Sequence, residues 1–443
     1  MSRRTMHLMG LLCAGPTTHH NGAWRHPDSD VDRILEAERY EELARIYERG
    51  LFDGVFFIDV YWLPGLDGRR TTLLEHGGAL PMLDPIQVLT VMSRATKHLG
   101  LSATMSTSFF PPFSIARSFA TLDHLSRGRA GWNVVTSLRD EDAQLFGLDQ
   151  LPDRERRYDK ADEVLEACMR LWDTWSEDAL VRDRANGVFA NPARMRSTTY
   201  AGEQVRVQGG LSAPRTPQGH PVIMQAGASG RGMEFASRWA EVIFSPHSVE
   251  ATMRAFYDEV KDDMQRFERS RDECVILPSI EVLAGESDAE AAEHAAELDA
   301  LASPLTGIDM VAGLLGADLK GVALDTLLTE VSPDPGRSRS EGGLQRIMAH
   351  TTQKKDLTIR DAAMVQATSN MTPRLIGSPA TIADQMEAMF ESGCGDGFII
   401  TNALSPGSLT RFVELVVPEL QRRGLYRTEY RGKTFRENLM DRA

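Results

Sequence analysis

Cysteine is scarce in this chain of 443 residues: Cys13, Cys168, Cys274 and Cys394 lie far apart, with no CxxC pair and no histidine at ligand spacing. That excludes a disulfide-stapled scaffold and a sequence-local zinc site, and fits buried, reduced thiols of a cytoplasmic protein. No apolar run approaches the roughly 20 residues of a membrane span. The opening SRRTMHLMGLLCAG has too short an apolar stretch for a signal peptide and reads as a first strand. Basic residues are outnumbered, 49 against 63 acidic, for a net charge of −14, which disfavours nucleic acid and anionic membranes as partners. Neither a GxxxxGK[ST] run nor a GxGxxG turn after a strand occurs, so a P-loop and a dinucleotide fold are both missing. His19 and His20 are neighbours in an extended segment and cannot both face one metal ion.

What the chain does have is alternation. Short apolar runs at 6–13, 54–59, 99–107, 129–135, 221–226, 241–245, 274–284 and 396–401 read as strands. Between them lie helical patterns at 36–49, 85–97, 113–125, 154–175, 248–267, 287–301, 379–391 and 407–423, and one starting at Ser229. Several strands are apolar throughout, as parallel strands covered on both faces should be. Eight such units predict an α/β fold, a (β/α)8 TIM barrel, with a doubly wound sheet as the structural alternative. The whole chain, 1–443, reads as one barrel domain. Three stretches break the repeat, at about 60–82, 176–220 and 303–377, and are expected to be substrate loops or a lid at the C-terminal face. Within the last, SPDPGRSRSEGG (332–343) lacks apolar anchors and is expected to be weakly held.

Active sites of such barrels form at the C-terminal ends of the strands. The polar residues there are Thr17 to His20, Asp59, Thr104, Ser106, Asn133, Thr136 and Gln225. Hydroxyls, amides and one carboxylate suit a polar, uncharged ring better than hydrolysis. An asparagine in the buried run RAGWNVV needs a hydrogen-bond partner, which makes Asn133 a candidate. The run Gly227-Ala228-Ser229-Gly230 joins a strand to a helix and could hold a phosphate on free N–H groups, although Ser229 as a plain N-cap explains it equally. Arg154 and Tyr158, four apart on one helix face, make a phosphate clamp with it; a solvated arginine is the simpler alternative.

These residues also form a longer pattern. GAWRHP (22–27), GVFFID ending at Asp59, STSFFPPF (106–113), ATLDHLSRGRAGWNVVTS (120–137), RRYDKADEVLEACMRLWDTW (156–175), PVIMQAGASGRG (221–232), DGFII (396–400) and YRTEYRGKTFRENL (426–439) resemble the nitrilotriacetate/dibenzothiophene-sulfone monooxygenase group of the bacterial-luciferase-like FMN-dependent monooxygenases. The resemblance covers nearly the whole chain except the middle of 303–377. It implies a barrel that takes reduced FMN from a separate NAD(P)H:flavin reductase and uses O2 to oxygenate a small organic molecule, such as an aromatic sulfone, an aminopolycarboxylate or a natural-product precursor. By motif it implies flavin contacts from Asp59, Thr104, Asn133, Arg154, Tyr158, Ala228 and Ser229, and a catalytic role for His19. A homodimer or homotetramer is expected. Arg154 stands where the group usually has histidine, and Leu138 where alkane oxygenases have one, which moves the expectation away from alkanes. A deazaflavin-dependent oxidoreductase and a non-catalytic flavin-binding protein remain the alternatives.

Overall fold

The computed structural model describes residues 4–63, 71–227, 230–338 and 341–440. Among the described residues eleven strands occur: β1 (His7–Cys13), β2 (Gly54–Ile58), β3 (Gly100–Ser106), β4 (Ala130–Val135), β5 (Thr198–Ala201), β6 (Arg206–Gly209), β7 (Val222–Gln225), β8 (Val242–Ser245), β9 (Val275–Ala284), β10 (Arg374–Gly377) and β11 (Gly397–Thr401). Eight of them close a parallel barrel in the order β1-β2-β3-β4-β7-β8-β9-β11, with β11 returning to β1. These are the eight runs read as strands from the sequence. The alternative of an open doubly wound sheet is overturned by the β8–β9 pairing that completes the ring.

Side-chain alternation sorts the barrel residues into two cores. Leu101, Ala103, Trp132 and Val134 point outward and pack under the helices, Trp132 against Phe119 and Trp172. Met9, Leu11, Phe56, Val222, Met224 and Leu277 fill the lumen. The helix Pro85–Ala95 starts where expected, with Asp84 accepting from Ile86 N–H at 2.8 Å and Gln87 N–H at 3.3 Å. The helix Arg154–Trp172 buries the stripe Ala161, Val164, Leu165, Cys168 and Leu171. Trp175, expected on that stripe, lies beyond the helix end and donates to Leu211 O.

The C-terminal tail plugs the bottom of the barrel. Phe435 and Leu439 belong to the lumen core, and Phe435 N–H donates to Gly128 O at 2.9 Å. The plug explains two glycines in the strands: a Cβ on Gly100 would lie 2.4 Å from the Phe435 ring, and one on Gly131 would lie 2.1 Å from Ser102 Oγ. Beside it Arg129 is fully buried without a carboxylate. Its guanidinium donates to Ser126 O, Leu99 O, Ser93 O, Thr96 O and Thr96 Oγ1, at 2.7 to 3.1 Å. Burial lowers its pKa to about 10, and the five neutral acceptors tie the 93–99 stretch to the end of the following helix at Ser126.

The insertions are more regular than their sequences suggest. Residues 176–220 carry the antiparallel hairpin β5–β6, whose turn donates three N–H groups, from Glu203, Gln204 and Val205, to the Glu163 carboxylate. Residues 303–377 form the helices Pro304–Leu315, Glu341–Gln353 and Ile359–Ser369 around their own core of Val311, Leu315, Leu328, Ile347, Ile359 and Met371. This segment ends in β10, a strand absent from the sequence reading, which pairs with the upper half of β9. The expectation of a weakly held loop at 332–343 meets a pinned one in its described part: Asp334 N–H donates to Leu315 O at 2.8 Å and Ser338 Oγ to Leu314 O at 2.6 Å. Arg339 and Ser340 lie outside the described residues.

Phe435→Ala empties the bottom of the lumen. It should cost about 3–5 kcal/mol, the usual range for a core phenylalanine, read as a lower urea midpoint at unchanged slope. A loss below 1 kcal/mol would show that the tail merely covers the barrel.

Candidate active site

At the strand ends the lumen turns polar. Thr104 and Asn133 are paired neighbours on β3 and β4 and both point inward. Asn133 Nδ2 donates to Thr104 Oγ1 at 2.8 Å, and Thr104 Oγ1 donates to Phe57 O at 2.6 Å. The buried amide therefore has a protein partner for its NH2 group, while no group among the described residues bonds to its carbonyl oxygen.

Above this layer opens a cavity of about 500 Å³, lined by Asp59, Tyr61, Arg154, Tyr158, Gln225 and Arg346 among others. Thr104 and Asn133 lie beneath it rather than in its wall. Arg154 and Tyr158 share a wall as their spacing required, with the guanidinium 5.9 Å from the centre of the phenol ring. Gln225 Nε2 lies 3.4 Å from Tyr158 Oη, and Gln225 Oε1 accepts from Gly227 N–H. The backbone passes close here: a Cβ on Gly232 would lie 2.6 Å from Tyr158 Oη, and one on Gly227 would lie 2.5 Å from Gln225 Nε2. Ala228 and Ser229, the other two residues of the expected phosphate cradle, lie outside the described residues. The helix that follows begins at Gly230.

A second cavity, of about 180 Å³, shares Val60 and Arg139 with the first. His19, Trp62, Leu80 and Met310 line it, with Asn370 and Asp309 from the 303–377 insertion. The two adjacent histidines, in the bent stretch after β1, take different surroundings. His20 is fully buried and its Nε2 lies 3.1 Å from Asp299, which also accepts from Arg374 at 2.7 Å. His19 faces the cavity with Nδ1 3.4 Å from Thr372 Oγ1. Burial, aided by the Arg346 charge, holds its pKa down at about 3, so it is a neutral imidazole.

Several residues of this site carry no sequence signal. Asp142 fixes the chain after β2 by accepting from Tyr61 N–H at 3.1 Å and Trp62 N–H at 2.8 Å. Arg139 lies over the Trp62 ring at 5.6 Å. Arg139 follows the VVTS motif closely enough to have been singled out as a charge at a strand end; Arg346 and Asn370 sit in an insertion that no periodicity connects to the barrel.

Asp59 is half-buried at the end of β2, and its pKa is pushed up to about 7, first by burial and then by Asp84 and Asp142. An unfolded aspartate titrates near 4. Its proton therefore favours the folded state below about pH 4, and that advantage is lost as the pH rises to about 7. Asp59→Asn should unfold like the parent at pH 4 and resist urea better than the parent at pH 8. Parallel pH profiles for the two proteins would remove the strain assigned to this carboxylate.

A family model described as "Luciferase-like monooxygenase" matches residues 16–396. The dibenzothiophene-sulfone monooxygenase of Rhodococcus erythropolis (strain XP) is 41% identical over 440 residues, covering 99% of this chain and 97% of that one. The nitrilotriacetate monooxygenase component A of Aminobacter aminovorans is 36% identical over 427 residues, covering 95% and 93%. Among solved structures, a riboflavin lyase with modified FMN and riboflavin superposes with a TM-score of 0.87 at 29% identity, covering 99% of this chain and 96% of that one. Barrel, strand-end site and sequence agree, and the chain belongs to the luciferase-like monooxygenase family.

Proposed function

We propose that this protein is the oxygenase component of a two-component flavin monooxygenase. It takes reduced FMN from a separate NAD(P)H:flavin reductase and uses O2 to oxygenate a small or medium organic substrate. The observation that carries this reading is the pair of joined cavities, one with a cation and a phenol beside a glycine-rich backbone, the other apolar with a neutral histidine. The names of the two relatives, a sulfone monooxygenase and a component A, support it.

The residues of the larger cavity fit FMN. Arg154 and Tyr158 would hold the phosphate, and the tight backbone at Gly227 and Gly232 lets N–H groups approach it. Thr104 and Asn133 would meet the polar edge of the ring, and Asp59 would stand beside it as a carboxyl that gains or loses a proton near neutral pH. Bound reduced flavin supplies the electrons that activate O2. The chain positions and shelters. Trp62, Leu80 and Met310 keep water from the smaller cavity, where the substrate would sit. His19 is neutral there, and with Nδ1 beside Thr372 its Nε2 is left to exchange a proton or hydrogen bond with the substrate. We take the chain to be a single cytoplasmic barrel domain, assembled as a homodimer or homotetramer.

With FMN and NADH alone, the purified protein should consume no NADH; adding a flavin reductase and a substrate should give product. Robust NADH oxidation without the reductase would overturn the two-component reading. Removing Arg154 and Tyr158 together, as R154M with Y158F, takes away two hydrogen bonds to phosphate. At about 1.5–3 kcal/mol each before water compensates, FMN affinity should fall ten-fold or more. His19→Ala should leave FMN affinity unchanged and cut product formation by about 10²–10⁴-fold if the imidazole moves a proton, with reducing equivalents appearing as hydrogen peroxide. His20→Ala should instead lower stability, since it removes the buried imidazole that pairs with Asp299.

A further inference from the structure

Arg346 lies on the inner helix of the 303–377 insertion, Glu341–Gln353, and reaches the wall of the main cavity. It also lines a third chamber of about 230 Å³, formed with Pro246, His247 and Ser248 after β8 and with Thr252 and Gln345. The main cavity and this chamber share Pro246, Gly342 and Arg346, so they adjoin. Three polar atoms of the chamber's residues are buried with no partner: Arg346 Nε, His247 Nε2 and Ser248 Oγ. The one hydrogen bond Arg346 makes among the described residues is to Asn370 O, at 3.1 Å.

The charge around Arg346 is unbalanced. Burial alone lowers its pKa, and no carboxylate among the described residues offsets it. Its neighbours in the field are imidazoles: His19, His247 and His350 are all held low by burial and by the Arg346 charge. A chain of net charge −14 has thus placed a guanidinium and three histidines held low by burial together without a carboxylate among the described residues. Arg346 is half-buried at the cavity wall, with its Nε enclosed, and a cation in such a place is normally paired. Arg129 shows how this chain buries an arginine for structure alone, with five acceptors around it. Arg346 has one.

We infer that this side chamber is an oxoanion subsite, in which Arg346, His247 and Ser248 receive the carboxylate or sulfonate head of the organic substrate. The inference rests on the functional reading above and narrows it: the substrate is an organic anion whose head is held by Arg346 while its body extends into the main cavity. A guanidinium suits a carboxylate or sulfonate because its N–H groups match two oxygens at once. The flavin phosphate is the other source of the same chemistry. It is assigned to Arg154 and Tyr158, and the experiment separates the two.

Calorimetric titration of the full chain with methanesulfonate, with and without FMN, tests the subsite. The parent should bind it saturably in both cases. Arg346→Met should weaken it at least ten-fold, Arg346→Lys by less, and His247→Leu by an intermediate factor, while FMN affinity stays within two-fold in all three. Because the guanidinium is uncompensated, R346M should melt no lower than the parent; a purely structural arginine would give a clear drop. Failure of the parent to bind methanesulfonate, or equal binding by parent and R346M, overturns the proposal. So does methanesulfonate competing with FMN together with a matching loss of FMN affinity in R346M, which would assign the arginine to the flavin phosphate. Failure of FMN itself to bind would count against the flavin reading and not against the subsite, since the titration without FMN reports on the anion alone.

Discussion

A ring of eight parallel strands encloses a volume that side chains must fill, and the way this chain fills it decides where chemistry can occur. The bottom is closed by the chain's own C-terminus. Phe435 occupies the space left by Gly100 and Gly131, and apolar residues of six strands and the tail pack the middle. Toward the top the inward positions of β3 and β4 are polar, with Thr104 and Asn133 hydrogen-bonded to each other and Thr104 to the Phe57 carbonyl. The plug and the polar layer are two ends of one packed column. The cavity at the mouth sits on this hydrogen-bonded layer.

The mouth is also divided by charge. On the β2 side Asp59 and Asp142 stand together, close enough that Asp142 helps raise the Asp59 pKa. The opposite contributions come from the helix after β4, with Arg154 and Arg157, and from the insertion, with Arg346. The mouth is therefore electrostatically asymmetric, with carboxylates on one side and guanidinium groups on the other. Neutral His19 fits the same pattern, since a charged imidazole beside Arg346 would add repulsion in a buried site.

Much of this was legible in the sequence, for physical reasons that differ by element. The eight barrel strands announced themselves because strands covered on both faces must be apolar along their length, as in GVFFI and VIMQ. The pairing of Arg154 with Tyr158 followed from helical periodicity, and Asn133 stood out because a buried amide requires a partner. Long-range contacts were not legible. β10 is a four-residue strand, RLIG, with too little pattern to show, and the three insertion helices bury small faces against one another rather than against the barrel. Arg346 and Asn370 reach the site only through that folding, so no local spacing could have named them.

The adjacent histidines show how the framework sets the site. The two lie side by side in the bent stretch that follows β1, so anchoring one constrains the backbone that carries the other. His20 is fixed by Asp299, and Asp299 is held by Arg374 at the start of β10, which also donates to Glu281 on β9 at 2.8 Å. The same residues that fasten the insertion to the barrel therefore turn His19 toward the smaller cavity. A change at Asp299 or Arg374, outside both cavities, would reach His19 through this linkage, because His20 is its neighbour in the chain.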